Sequence, residues 1–201
     1  MTLYLTSRGF GSPCVGEKIF SHLKKEAKEL RLFYIPTARY GYSRKNKLIE
    51  GLEAAGFQKE QIIWFDHRYP ERYGDEIPDL IYVCGGNTFL LQHYMKESGF
   101  LPKLKGWIEA GVPYVGASAG THLIEQSIEH LKYFDENKIG ETDFAGLCLF
   151  FGITVCHYTK EREEIARLLQ EEGKYPVSLI GNEEVLLAEG EKSDRLQLRY
   201  L

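Results

Sequence analysis

"DLIYVCGGNTFLLQ", residues 79–92, changes its periodicity halfway along, and that change decides the fold. From Leu80 to Cys84 the run is apolar without alternation, as a central strand covered on both faces requires. Gly85 and Gly86 break it, Asn87 adds turn chemistry, and Thr88 opens a helical pattern that runs to about Glu97.

The same alternation extends in both directions. "LYLT" (3–6), "LFYIPTA" (32–38) and "QIIWFD" (61–66) read as strands. Ile19, Phe20, Leu23, Ala27 and Leu30 recur at helical spacing, and so do Leu48, Ile49, Leu52 and Ala55, with Ser43 as cap and Gly56 past the end. Leu104 to Ala110 makes another helix closing at Gly111, followed by the strand "PYVG" (113–116). Residues 129–147 are polar and irregular; "GITVCHY" (152–158) restores a strand before a charged helix over 159–172. "VSLIGNEEVLLAEG" (177–190) reads as a hairpin, with "RLQLRYL" as a closing strand. The expectation is an α/β three-layer sandwich whose mostly parallel central sheet is flanked by helices, in one domain over 1–201.

Composition narrows the function. A net charge of -4 over 201 residues, with no basic aromatic-interleaved cluster, argues against a nucleic-acid partner. No apolar run approaches the ~20 residues of a membrane span, and the first residues lack a signal-peptide layout. Cys14, Cys84, Cys148 and Cys156 are scattered, so neither a disulfide framework nor a thiolate metal site is expected, and a cytoplasmic setting fits.

Sheets of this type place ligands outside the carboxyl ends of their strands. Two motifs fall there. "GASAG" (116–120) fits G-x-S-x-G, in which a serine on a sharp strand-to-helix turn needs tiny neighbours two positions either side. The helix that follows aims N–H groups at the point where negative charge develops. Ser118 is therefore the candidate nucleophile. The "GGN" turn can lie beside it, with Gly86, Asn87 and Ala119 as candidate oxyanion donors.

A serine needs a base. His22 and His93 fall in helical stretches and His67 in a charged loop, so all three read as surface. His122 lies one turn beyond Ser118 and points along the helix, away from the crevice. His157, ending a strand, is the best base. Asp135, Glu183 and Glu184 remain open as the carboxylate that orients it, Glu183 and Glu184 because strands 153–156 and 177–180 are plausible neighbours.

Taken together, "YVCGGNTFLLQ" (82–92), "VGASAG" (115–120) and "HY" (157–158) resemble the peptidase E group of serine peptidases, family S51, relatives of the class I glutamine amidotransferase fold. The resemblance implies Ser118 as nucleophile, His157 as base, an acid from "IGNEEVLL" or Asp135, and no metal or organic cofactor. In that alignment Glu183 fits the acidic pair best, Asn182 standing where the family has an aspartate; an ungapped alignment chooses Glu184. One departure bears on substrate. Peptidase E cleaves dipeptides with an N-terminal aspartate and carries an extended basic loop after its histidine, whereas "HYTKEREEIARLL" passes almost directly into helix. Lys160 and Arg162 are left as candidate carboxylate partners. The expected activity is hydrolysis of small peptides by a monomer or homodimer. An esterase or amidase with the same machinery, and a non-catalytic binding domain, are the alternatives.

Overall fold

The apolar runs pair edge to edge wherever two of them can cover each other's backbone groups. In the computed structural model, which describes residues 1–39, 45–74, 76–191 and 196–201, the strands are β1 (Thr2–Thr6), β2 (Leu32–Ile35), β3 (Ile62–Trp64), β4 (Leu80–Val83), β5 (Tyr114–Ala117), β6 (Ile153–Cys156), β7 (Val177–Ile180), β8 (Val185–Glu189) and β9 (Gln197–Tyr200). The expected cap at Ser43 lies outside the described residues. A seven-stranded sheet forms in the order β3-β2-β4-β5-β1-β8-β9. Its first five strands are mutually parallel, and β8 and β9 close one side antiparallel.

All residues of β2, β4 and β5 are buried, so consecutive side chains, which point to opposite faces, are covered on both. The helices that do this are α1 (Pro13–Leu23), α2 (Lys45–Ala54), α3 (Thr88–Glu97), α4 (Leu101–Glu109) and α5 (Ala119–His122), whereas α6 (Glu163–Glu172) packs against β6 and β7. Large rings fill one layer: Phe33 packs against Phe65, Phe100 and Trp107 at centroid separations of 5.6, 5.5 and 5.0 Å.

Three local expectations change. Lys24 adopts a left-handed conformation (φ 54°) and stops α1 at Leu23, so Ala27 belongs to a separate 3-10 turn and Leu30 follows it. The helix after His157 starts at Glu163, preceded by a 3-10 turn over Lys160–Arg162. The expected hairpin of 177–190 does not form. The edge of β1 is open and takes β8 as its antiparallel partner, Leu5 opposite Leu186. β7 pairs in parallel with β6 in a separate two-stranded ribbon, and the hairpin lies between β8 and β9. Among the described residues no helix is long and apolar enough to cross a membrane.

The parallel strands send their carboxyl ends to one side. Ser7 and Arg8 follow β1, Ala38 and Arg39 follow β2, Gly85 and Gly86 follow β4, and Ser118 follows β5, and all of them line one cavity.

Candidate active site

At the end of β5 the chain turns into α5 within one residue. Ser118 carries φ 49° and ψ -108°, a conformation that costs energy for a side chain with a Cβ and is kept where the surroundings enforce it. The flanking glycines are demanded by contact. A Cβ on Gly116 would stand 2.7 Å from the Thr121 backbone N, and one on Gly120 would collide with the Val83 carbonyl. Hydrogen bonds fix the bend to β1: the Ser118 N–H donates to Thr6 O at 2.8 Å, and the Thr121 hydroxyl lies 2.8 Å from that same oxygen. Ser118 itself is half-buried and faces the cavity.

The glycine turn after β4 comes close because it has no side chains. A Cβ on Gly85 would sit 3.3 Å from Ser118 Cβ, and Gly86, at φ 157°, passes against the Ala38 carbonyl. Of the three candidate oxyanion donors, the N–H groups of Gly86 and Ala119 donate to no acceptor among the described residues, Ala119 being the first residue of α5. Asn87 is corrected. Its N–H donates to Ala38 O at 3.0 Å, and its side-chain oxygen accepts from the Leu90 N–H at 2.9 Å, so Asn87 caps α3, which Thr88 opens.

His157 arrives from the β6–β7 ribbon with φ 53°. Its N–H donates to Ser7 Oγ at 2.8 Å; that hydroxyl donates to Ile180 O at 2.9 Å, and the Tyr158 N–H donates to the same carbonyl at 3.0 Å. The ring is half-buried and lines the cavity with Ser118. Its Nδ1 lies 2.7 Å from Asn182 Oδ1, leaving Nε2 as the nitrogen without a hydrogen bond among the described residues.

None of the three expected carboxylates is paired with this ring; each is engaged elsewhere. Glu183 accepts from the Ser12 hydroxyl and faces Arg8 at 3.4 Å. Glu184 accepts from the Gly181 N–H at 2.6 Å, within its own turn. Asp135 does line the cavity, but its Oδ2 accepts from the Thr88 N–H at 2.7 Å, at the amino end of α3.

The cavity measures about 1030 Å³ and carries three guanidinium groups, Arg8, Arg39 and Arg162. Arg39 Nε donates to Gly85 O at 3.0 Å, and Arg162 donates to Cys156 O at 2.7 Å while stacking 4.5 Å over the Phe134 ring. Lys160 is exposed and absent from the lining. Arg8 and Arg39 were not singled out in the sequence, although each lies just past a strand's carboxyl end, the signal that could have found them.

Two further histidines depart from expectation. His22 is not simple surface; its Nδ1 lies 2.7 Å from the Tyr4 hydroxyl. His122 does not turn away from the crevice: it is buried, lines the cavity floor, and sets Nδ1 3.0 Å from Glu125 Oε1. Burial works against the charged ring, but Glu125, helped by Cys156, holds His122 well above its ordinary value. His130, behind them, is pushed down to about 4, chiefly by burial. The ligand atoms of His122, Glu125 and His130 lie within 4.8 Å of one another, close enough for a metal ion. Glu125 Oε1 already accepts from the Thr154 N–H at 2.9 Å and from the Thr154 hydroxyl, and Oε2 lies 3.7 Å from His130 Nε2, so a hydrogen-bonded ion pair accounts for most of the cluster; Glu125 Oε2 and His130 Nδ1 make no hydrogen bond among the described residues.

With this geometry in place, the chain can be set beside known proteins. The family model for "Peptidase family S51" matches residues 6–196. An uncharacterized peptidase of Pasteurella multocida is 29% identical over 131 residues, covering 63% of this chain and 58% of the relative. One from Listeria monocytogenes is 32% identical over 119 residues, covering 57% of this chain and 58% of the relative. The chain thus spans a little over half the length of these two relatives. A crystal structure of a Listeria monocytogenes protein assigned to peptidase E superposes with a TM-score of 0.72 at 23% identity, covering 100% of this chain and 98% of that one, which establishes a shared fold.

Proposed function

The chain belongs to peptidase family S51, and from that premise we propose that it is a serine peptidase acting on small peptides. The observation that carries the reading is Ser118 on its strained bend, with the Gly85–Gly86 turn against it and His157 lining the same cavity. Ser118 Oγ attacks the scissile carbonyl carbon while its proton passes to His157 Nε2. The carbonyl oxygen becomes an oxyanion that the Gly86 and Ala119 N–H groups receive. The C–N bond then breaks, and His157 returns the proton to the departing amine. Water, deprotonated by the same nitrogen, releases the acyl group from Ser118.

Arg8, Arg39 and Arg162 set the substrate class: they favour peptides that present carboxylates to the cavity. Lys160, outside the lining, is left out of this role.

A fluorophosphonate probe tests the chemistry. Wild type should be labelled, and Ser118→Ala should lose at least about 10³-fold in labelling rate. Failure of wild-type labelling sinks the reading. A dipeptide panel with simple esters alongside it tests the substrate. Acidic peptides should be cleaved fastest, with Arg162→Met raising KM; preferential turnover of neutral esters would point to an esterase using the same groups.

A further inference from the structure

We infer that Arg39 is the positioning residue of the oxyanion donor Gly86: its guanidinium holds the peptide between Gly85 and Gly86 with the N–H turned toward the cavity. The inference rests on the proposed serine-peptidase reading. Arg39 Nε donates to Gly85 O at 3.0 Å. That carbonyl and the Gly86 N–H belong to one planar peptide unit, and in a trans unit they point in opposite directions. Fixing the oxygen on the Arg39 side therefore fixes the hydrogen on the other. The Gly86 N–H donates to no acceptor among the described residues, and Gly86 lines the cavity with Ser118.

A peptide flanked by two glycines has little of its own to keep it in place. Neither residue carries a Cβ, so a rotation that exchanges the two groups costs little, and it would aim a carbonyl where negative charge develops. Side chains cannot be added as a remedy. A Cβ on Gly86 would collide with the Ala38 carbonyl, and one on Gly85 would stand 3.1 Å from the Ala117 carbonyl. The hold must come from outside the turn, and the loop after β2 supplies it. That loop is itself closed by the Arg39 N–H, which donates to Pro36 O at 2.9 Å. Backbone bonds join loop and turn on either side of the glycines: the Cys84 N–H donates to Ile35 O at 3.1 Å, and the Asn87 N–H to Ala38 O at 3.0 Å. Neither involves the peptide between Gly85 and Gly86; Arg39 Nε reaches its oxygen.

The guanidinium carries a full charge, and a charged donor on a carbonyl polarises the whole amide. The Gly86 N–H thereby becomes a stronger donor toward an oxyanion. Arg39 acts on the chemical step as well as on the capture of a substrate carboxylate, and a reagent with no carboxylate separates the two.

A fluorophosphonate is such a reagent: Ser118 Oγ displaces its fluoride while the phosphoryl oxygen takes the oxyanion position. The test measures labelling rates for wild type, Arg39→Met and Arg39→Ala, with the Gly86 amide NMR signal followed before and after labelling. Arg39 is exposed, so both variants should keep the wild-type melting temperature. Both should label about 10-fold slower or worse, approaching the loss of about 10²–10³ that removal of an oxyanion donor brings. The Gly86 signal should shift on labelling of wild type; in both variants it should start displaced and respond less. Millimolar guanidinium chloride should restore labelling of Arg39→Ala, which leaves room for the ion, and sodium chloride should not. Wild-type labelling rates in both variants, with the loss confined to KM for acidic peptides, would overturn the inference and leave Arg39 a carboxylate anchor only. So would slow labelling beside an undisplaced Gly86 signal. If wild type is not labelled at all, the serine-peptidase reading fails, and the Gly86 signal of the unlabelled proteins decides alone: displaced in the variants it supports the hold by Arg39, unchanged it overturns it.

Discussion

Two imidazoles border the same cavity and are held in opposite ways. His157, at the rim, is half-buried and meets a neutral amide, Asn182. His122, on the floor, is buried and meets a carboxylate, Glu125, at 3.0 Å. The histidine–carboxylate pair that a triad would use is present in the molecule, but it lies in the core, tying α5 to Thr154 of β6. Burial explains the allocation. A carboxylate with no solvent exposure, as Glu125 is, must have a counter-charge or lose its ionisation. At the rim, water can share in solvating whatever charge the ring acquires, so a neutral partner is tolerable. The floor pair is thus a matter of stability and, on the proposed function, the rim pair a matter of reactivity.

Variants can break or sharpen that division. The largest effect should come from Glu125→Ala, which leaves His122 buried without a counter-charge and should cost about 3–5 kcal/mol in urea unfolding. Glu125→Gln, which keeps an acceptor for Thr154, should cost less. If Glu125→Ala costs no more than a surface change, the floor pair is not structural and the contrast collapses.

Next in size are two pH effects of opposite sign. His122 is held well above its ordinary 6.5, so the folded state retains a proton that the unfolded chain releases. That contribution is complete below about pH 6.5 and disappears as pH rises through the raised value, at up to about 1.4 kcal/mol per pH unit. His130 runs the other way. Held down to about 4, it is neutral when folded, while the unfolded chain takes up a proton below 6.5, so stability falls as acid is added between those values. His130→Gln should flatten the acid side of the stability profile and leave the alkaline side unchanged; a change on the alkaline side alone would reverse the assignment.

The smallest effect on stability should be at the rim. Asn182→Leu should move the unfolding free energy by no more than about 0.5 kcal/mol while slowing fluorophosphonate labelling. A large loss of stability there would make Asn182 a structural residue and erase the difference between the two sites.

Much of this site was legible beforehand because its demands are local. The spacing of Gly116, Ser118 and Gly120 is a steric requirement of one bend, and the atoms that enforce it, Thr121 and Val83, are those of a helix and a strand the pattern already announced. The place of His157, just past a buried strand, follows from the rule that ligands meet the carboxyl ends of a parallel sheet. The failures share a different origin. Asn87 looked like an oxyanion donor until the loop after β2 supplied Ala38 O to its N–H. The acid could not be picked from Asp135, Glu183 and Glu184 because partners arrive from remote segments: Ser12 and Arg8 for Glu183, Thr88 for Asp135. The hairpin expected over 177–190 failed because β1 offered β8 an open edge.

By itself, then, the chain's order of residues settled the layered α/β architecture, the bend that bears Ser118, and the strand end that bears His157, since each follows from periodicity or contact over a few neighbouring positions. Folding in three dimensions decided which atom faces the imidazole, which N–H groups stay unspent, and which histidine receives the carboxylate. Those outcomes turn on hydrogen-bond distances of about 3 Å between segments far apart along the chain, and a local pattern cannot encode so short a reach across so long a separation.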